Sequence, residues 1–304
     1  DAGQYSNNTV TANLLPLCYG MVSDEFIEMV FNNIVHKTEN EFNSHVSTGL
    51  VGIQWLMRGL SDYGRADLAL KIATNRDYPS WGYMIENGAT TIWELWNGNT
   101  AEPSMNSGNH VMLLGDLIVW YYEYLAGIKN AEGSAGFEKI ELKPWLISGL
   151  EFVDASYKSV KGLIKSSWVK KGNTFEWGIT IPANTTAVVY IPANGEDKIK
   201  INGEPSVSMV ENTQFISYEK GYLVYEFGSG SYNIVAMKEK ERDRINDYLN
   251  FCVELNIYRC KNEKIDSICW PFDFIAFNVS DPIAPKRCCF SESDDRKFDV
   301  SYDC

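Results

Sequence analysis

Apolar residues recur every three or four positions over roughly the first 130 residues, then every second position over the next hundred. Leu14, Leu15, Cys18 and Met21 keep the first spacing. Phe26, Met29, Val30, Ile34 and Val35 take it up again after a turn at Ser23-Asp24. Such spacing lays an apolar stripe along a helix. The run from Thr48 to Leu60, TGLVGIQWLMRGL, is apolar nearly all round and predicts a buried helix, with glycines that let neighbours come close. Asp62–Ala73 predicts another amphipathic helix, and residues 107–127 a long apolar one ending at Gly127. A polar, aromatic stretch, residues 75–106, separates these two. Helix pairs with long loops at one end predict a bundle or toroid whose loops build the site.

The period changes near residue 137. Phe137–Leu142, Leu150–Tyr157, Gly162–Lys170, Thr174–Ile181 and Thr186–Ile191 are short, alternating and rich in Val, Ile, Trp and Tyr. Residues 198–202, 213–218, 222–227 and 231–237 continue the pattern, with Gly and Asn turns between. Short strands at regular spacing predict an antiparallel β-sandwich. The expected division is a helical domain over 1–130, a sandwich over 137–237 and a tail over 238–304. The tail opens on EKERDRINDYLN, which reads as a polar helix, and then loses any sustained period. It holds Cys252, Cys260, Cys269, Cys288, Cys289 and Cys304, whereas Cys18 stands alone before it. Without a Cys-x-x-Cys, and with no His after position 110, these cysteines fit no zinc pattern. The tail is expected to be extra sequence that packs poorly on the rest.

Charge narrows the partners. Forty acidic residues against 27 basic give a net charge of −13, which repels nucleic acid and anionic membranes and leaves a neutral ligand indifferent. No run of about 18 apolar residues predicts a membrane-spanning helix, and the N-terminal residues do not read as a signal peptide.

Candidate chemistry is densest from Asp77 to Trp96, DYPSWGYMIENGATTIWELW. Here Trp81, Tyr83, Trp93 and Trp96 surround Glu86 and Glu94. Trp93 and Trp96 flank Glu94, and a carboxylate desolvated by indoles suits general acid or base work. Aromatic walls with a few polar groups also suit a sugar. A hydrogen-bonded Glu that braces a loop is the competing reading. His36 reads as a surface residue. His45 starts a helix or lines a cavity, and His110 follows Asn106 sixteen residues beyond Glu94. Three histidines without repeat spacing make no metal site, and no phosphate loop or nucleophile elbow is present.

Four stretches in order, TANLLPLCYGMV, HVSTGLVGIQWLMRGLSDYGRADLA, DYPSWGYMIENGATTIWELWNG and PSMNSGNHVMLLGDLIVWYYEYLAGI, resemble the last third of the (α/α)6 barrel of glycoside hydrolase family 78, the bacterial α-L-rhamnosidases. GFEKIELKPWLISGLEFVDASYKSVKGLIKSSW and IPANTTAVVYIPANG resemble the β-sandwich that follows that barrel. The resemblance covers about residues 1–237 and stops at the tail. It implies a partial (α/α)6 toroid followed by an antiparallel β-sandwich. It also implies hydrolysis of terminal α-L-rhamnose with inversion, on a rhamnose-containing glycoside or glycan and without a metal or organic cofactor. Glu94 matches the family's general base and His110 a sugar-contacting His. Trp81, Tyr83, Trp93, Trp96, His45 and Asn106 complete the implied substrate site. The family's general acid lies in an Asp- and Arg-rich motif that this sequence lacks, so the chain alone is expected to be inactive or nearly so. A lectin-like sugar-binding module and a toroid glycosidase for another sugar are the alternatives. A lectin has no use for the carboxylate at the centre of the aromatic run.

Overall fold

The computed structural model describes residues 3–110, 112–193, 198–205, 210–219 and 221–238, with the pairs 291–292 and 298–299. The chain divides into two units, Asp1–Glu241 and Arg242–Cys304. In the second, Ser291–Glu292 pairs antiparallel with Phe298–Asp299. The expected polar helix and the tail's cysteines lie outside the described residues.

Helices open the first unit: α1 (Val10–Cys18), α2 (Asp24–His36), α3 (Leu50–Asp62), α4 (Ala66–Thr74), α5 (Trp81–Glu86) and α6 (Met112–Trp120). A π-helical turn, Tyr121–Leu125, continues α6. Thr9 caps α1, its hydroxyl accepting the Ala12 N–H. Contacts between helices give their directions. A Cβ on Gly52 would lie 2.3 Å from Thr11 Oγ1, and one on Gly59 would lie 2.8 Å from Leu14 Cδ1 and 2.9 Å from Cys18 Sγ. These glycines let α1 and α3 touch, as the sequence suggested. On the other side Arg58 pairs with Asp116 at 3.4 Å, Trp120 Nε1 donates to Ser61 Oγ at 2.8 Å, and Tyr124 donates to Asp62 Oδ1 at 2.8 Å. Partner numbers rise together on both sides, so α1, α3 and α6 run parallel with α3 in the middle. The turns 19–23 and 63–65 are short. The long connections 37–49 and 75–111 therefore sit together at the N-terminal ends of α3 and α6. Asn75 Nδ2 ties them, donating to the Ser44 carbonyl at 2.5 Å.

The helix predictions need three corrections. First, α3 is not buried all round: Val51 is 64% exposed and Leu50 40%. Apolar character over a whole helix shows what it tolerates, not which face finds a neighbour. Second, Asp62–Ala73 is not one helix, because Gly64 takes a left-handed φ of 90° and the chain restarts at Ala66. Third, the long helix does not include residues 107–110, whose backbone is engaged elsewhere.

Two side-chain groups on these helices allow tests. Ser61 is fully buried, donates to the Met57 carbonyl and accepts from the Trp120 indole. Ser61→Ala leaves that indole N–H unpaired, and the unfolding free energy in urea is expected to fall by about 1–3 kcal/mol. The Cys18 thiol is pushed up to about 12, first by burial and then by the Asp62 charge. It is therefore protonated at neutral pH. Alkylation of Cys18 at pH 8, read peptide by peptide, is expected to lag far behind that of an exposed thiol, whose pKa is about 8.5.

Eleven strands follow within the described part of this unit: β1 (Ile128–Asn130), β2 (Lys139–Leu142), β3 (Phe152–Ser159), β4 (Gly162–Lys171), β5 (Thr174–Ile181), β6 (Thr186–Pro192), β7 (Lys198–Ile201), β8 (Glu204–Pro205), β9 (Thr213–Glu219), β10 (Tyr222–Phe227) and β11 (Gly230–Met237). They form two sheets, ordered β1-β2-β6-β10-β9 and β3-β4-β5-β11-β7-β8. Every pairing is antiparallel except the parallel one between β2 and β6. Alternate residues, among them Trp168, Trp177, Val189, Ile191, Phe227 and Ile234, fill the core. The architecture is that expected: part of a helical toroid, then a sandwich. Strands β1 and β8 are too short to show a period of two and were not predicted.

A polar knot joins the helices to the sandwich. Trp168 Nε1 donates to the Leu125 carbonyl at 2.8 Å, and Ser166 Oγ to the Ala126 carbonyl at 2.6 Å. Trp177 Nε1 donates in turn to Ser166 Oγ at 2.9 Å. These strand residues occupy carbonyls that the end of the α6 segment leaves open. Gly127 then turns away with φ 74°, where a Cβ would lie 2.3 Å from the Lys143 and Pro144 backbone.

Candidate active site

Two irregular segments, residues 91–95 and 106–110, lie side by side in opposite directions across the connection before α6. Glu94 N–H donates to the Ser107 carbonyl at 2.9 Å, and His110 N–H to the Ile92 carbonyl at 2.6 Å. Ser107 N–H bonds the Glu94 side chain, Oε2 accepting at 3.0 Å. The Leu95 N–H goes to Asn106 Oδ1 at 3.0 Å, and Thr91 Oγ1 donates to the Gly108 carbonyl. Ile92 and Trp96 pack against the helical core and pin the first segment from both sides of Glu94. Glu94 itself is exposed. One carboxylate oxygen is held by a backbone donor, and Oε1 has no hydrogen-bond partner among the described residues.

The indoles do not desolvate Glu94 as expected. Trp93 covers Gly98, where a Cβ would lie 2.5 Å from the ring. Trp96 meets Trp81 edge to face, with centroids 5.3 Å apart. Trp81 is only 4% exposed and belongs to the helical core. It backs the site instead of lining it. Ser80 caps α5 beneath it, accepting the Tyr83 N–H. Tyr83 donates to Asn99 Oδ1 at 3.3 Å, Asn99 Nδ2 to Asn87 Oδ1, and Asn87 Nδ2 to the Tyr83 carbonyl. This ring of bonds fixes Tyr83 at the surface.

Asn106 spends its Oδ1 on the backbone beside Glu94, which makes it a brace for the loop. His110 is half-buried, and its Nε2 is buried without a hydrogen-bond partner among the described residues. His45 lies on the other long connection. Its Nδ1 faces the Phe42 and Asn43 carbonyls at 3.1 and 3.0 Å, so Nδ1 donates, and Nε2 is buried without a hydrogen-bond partner among the described residues. Left-handed Asn43 and Ser44 shape that turn. His36 is exposed, as expected. Sequence reasoning missed Ser107, whose contribution is its backbone N–H and leaves no trace in residue type. Among the described residues no group of three or more His, Cys, Asp or Glu is placed to hold a metal, and no helix is long and apolar enough to cross a membrane.

Comparison with known proteins gives the family. The bacterial alpha-L-rhamnosidase 6 hairpin glycosidase domain matches residues 1–125, and the bacterial alpha-L-rhamnosidase C-terminal domain matches residues 127–205. The chain belongs to the bacterial α-L-rhamnosidase family. An α-L-rhamnosidase of Formosa agariphila is 33% identical over 75% of this chain and 25% of its own length. The solved structure of α-L-rhamnosidase from Dictyoglumus thermophilum is 32% identical with a TM-score of 0.68, over 76% of this chain and 25% of that one. The α-L-rhamnosidase of Streptomyces avermitilis, solved in complex with L-rhamnose, is 30% identical with a TM-score of 0.67, over 76% of this chain and 22% of that one. The chain thus spans about a quarter of the length of these rhamnosidases, and its last residues fall outside both family matches.

Proposed function

We propose that this chain carries the general-base half of an inverting α-L-rhamnosidase, with Glu94 as the base. The observation behind the reading is the Glu94 carboxylate, exposed and held through Oε2 by the Ser107 N–H. Its other oxygen is left to take a proton from water. That water attacks the anomeric carbon from the face opposite the leaving group, and inversion follows. A second carboxyl group, about 6.5–9.5 Å away in enzymes of this kind, protonates the departing oxygen. His110, Tyr83, Trp93, Trp96 and His45 are the proposed sugar-facing residues, while Trp81 and Asn106 support them. The proposed domain extents are 1–130 and 137–237. The names of the relatives, and the L-rhamnose bound in the Streptomyces structure, support the choice of sugar.

No residue of this sequence matches the family's acid motif, and a general acid is worth about 10²–10⁴-fold. That sets the test. The 304-residue chain is incubated with a dinitrophenyl α-L-rhamnoside, whose leaving group departs unprotonated, and with a methyl α-L-rhamnoside, whose leaving group does not. The chain is expected to be nearly inactive, with slow residual hydrolysis of the first alone giving β-L-rhamnose as the first product by NMR. Release of the α-anomer first, or comparable hydrolysis of both, would sink the half-site reading. So would no hydrolysis of the activated substrate.

A further inference from the structure

The two sheets of the sandwich carry different charge on their outer faces. In the six-stranded sheet Trp168, Trp177 and Ile234 point into the core, so the residues that alternate with them point out. Lys158, Lys165, Lys171, Lys198 and Lys200 share that outer face. Two acids stand among them, Asp154 and Glu176, which leaves an excess of three positive charges among the described residues. Glu176 is already engaged by Lys171 at 3.6 Å. On the outer face of the other sheet Lys129, Lys139 and Lys143 are balanced by Glu141, Glu219 and Glu226. The positive face is thus a local property of a chain whose net charge is −13. Exposed charges are screened beyond about 10 Å at 0.1 M salt, so a ligand lying on this face meets its lysines and not the distant acids.

The face also offers a path. Lys165 on β4 and Lys200 on β7 end a diagonal that crosses β5 and β11, about 20 Å long at ordinary strand spacing. Gly178 and Asn233 lie between them, beside Ser167 and the hydrogen-bonded hydroxyls of Thr180 and Ser231. A Cβ on Gly178 would meet nothing nearer than the Ser167 carbonyl oxygen at 3.8 Å, so the middle of the path is open. We propose that this face binds an acidic glycan, a sugar chain bearing uronate carboxylates, away from the Glu94 loop. The lysines meet carboxylates, and the hydroxyl and amide groups between them meet sugar hydroxyls. Residues 127–237 contain no arginine, whose planar fork is the better partner for sulfate and phosphate. The proposal rests on the rhamnosidase reading only in taking a glycan as the partner.

The test measures binding of the 304-residue chain to polygalacturonate, a uronate polymer without rhamnose, by calorimetry in 50 mM NaCl. Binding is expected, with loss on full methyl esterification of the polymer and weakening in 500 mM NaCl. Lys165→Glu with Lys200→Glu should weaken it at least about tenfold. Lys71→Glu with Lys139→Glu, which changes the net charge equally elsewhere, should leave it nearly unchanged. Gly178→Val keeps every charge, suits a strand and fills the open middle, so it too should weaken binding. Unchanged thermal midpoints show that the variants fold. No binding, equal binding of the esterified polymer, equal losses in the two charge-reversed pairs, or wild-type binding by Gly178→Val would each overturn the proposal. Binding of a DNA oligonucleotide or dextran sulfate as tight as that of polygalacturonate would overturn it as well, by showing a general anion surface. None of these readouts involves turnover, so failure of the rhamnosidase reading would show separately, in the activated-substrate assay.

Discussion

Glu94→Gln is expected to lower hydrolysis of an activated aryl α-L-rhamnoside by about 10²–10⁴-fold, the range set by loss of one general base. Gln matches Glu in shape, and its amide oxygen still accepts the Ser107 N–H that now holds Oε2. The loop should therefore keep its form, and the thermal midpoint should not move. What disappears is the ability to receive a proton from water. Because Glu94 is exposed, its replacement creates no cavity and no buried unpaired group. A large fall in rate with unchanged stability and substrate affinity is the signature of a proton acceptor. A fall in rate matched by a fall in midpoint would point to a structural brace, which is the competing reading of this residue. Wild-type turnover by Glu94→Gln would remove it from the mechanism.

Trp168→Ala is expected to produce the largest loss of stability. The indole is fully buried among the sandwich residues, 5.9 Å from Phe175 between ring centroids, and donates to the Leu125 carbonyl. Truncating a buried Trp costs about 3–5 kcal/mol, and the orphaned carbonyl adds about 1–3 kcal/mol. A typical domain has about 5–15 kcal/mol in all, so the variant loses a large share of its stability. Urea titration followed by circular dichroism reads the effect. Trp168→Phe, which keeps much of the ring volume and loses the bond, should fall between wild type and Ala. Equal midpoints for Phe and Ala would show that packing contributes little here, and a wild-type midpoint for Ala would contradict the burial.

Which parts of this architecture were readable from residue order follows from what each depends on. The sandwich strands were readable because β5 and β6 alternate between core and surface, and the residues that do so are Phe, Trp, Ile and Val. Helices α1 and α2 were readable for the corresponding reason. The break between α3 and α4 was anticipated but placed a few residues early, because Gly64 sits inside a run whose apolar spacing continues across it. Residues 107–110 were drawn into the α6 helix because they adjoin an apolar run, although their N–H and C=O groups pair with residues 92–94. Pairing between backbones carries no residue signature. The same limit hid Ser107, and it hid the division of labour among the aromatics. Trp81, Trp93 and Trp96 look alike in sequence, yet one is core, one covers a glycine, and one packs on the first. Composition could gather them but not face them.

The two family matches meet at Ala126, between residue 125 and residue 127. In evolutionary terms such a junction suggests two parts that can be exchanged. The bonds at that point argue otherwise. The carbonyls of Leu125 and Ala126 are taken up by Trp168 and Ser166, some forty residues downstream. A foreign sandwich grafted after residue 126 must bring an indole and a hydroxyl to those same two oxygens, or leave the base of the helix that follows His110 open to water. The two domains are therefore coupled through buried hydrogen bonds at this junction, and a chimera that respects the apparent boundary is cut through them.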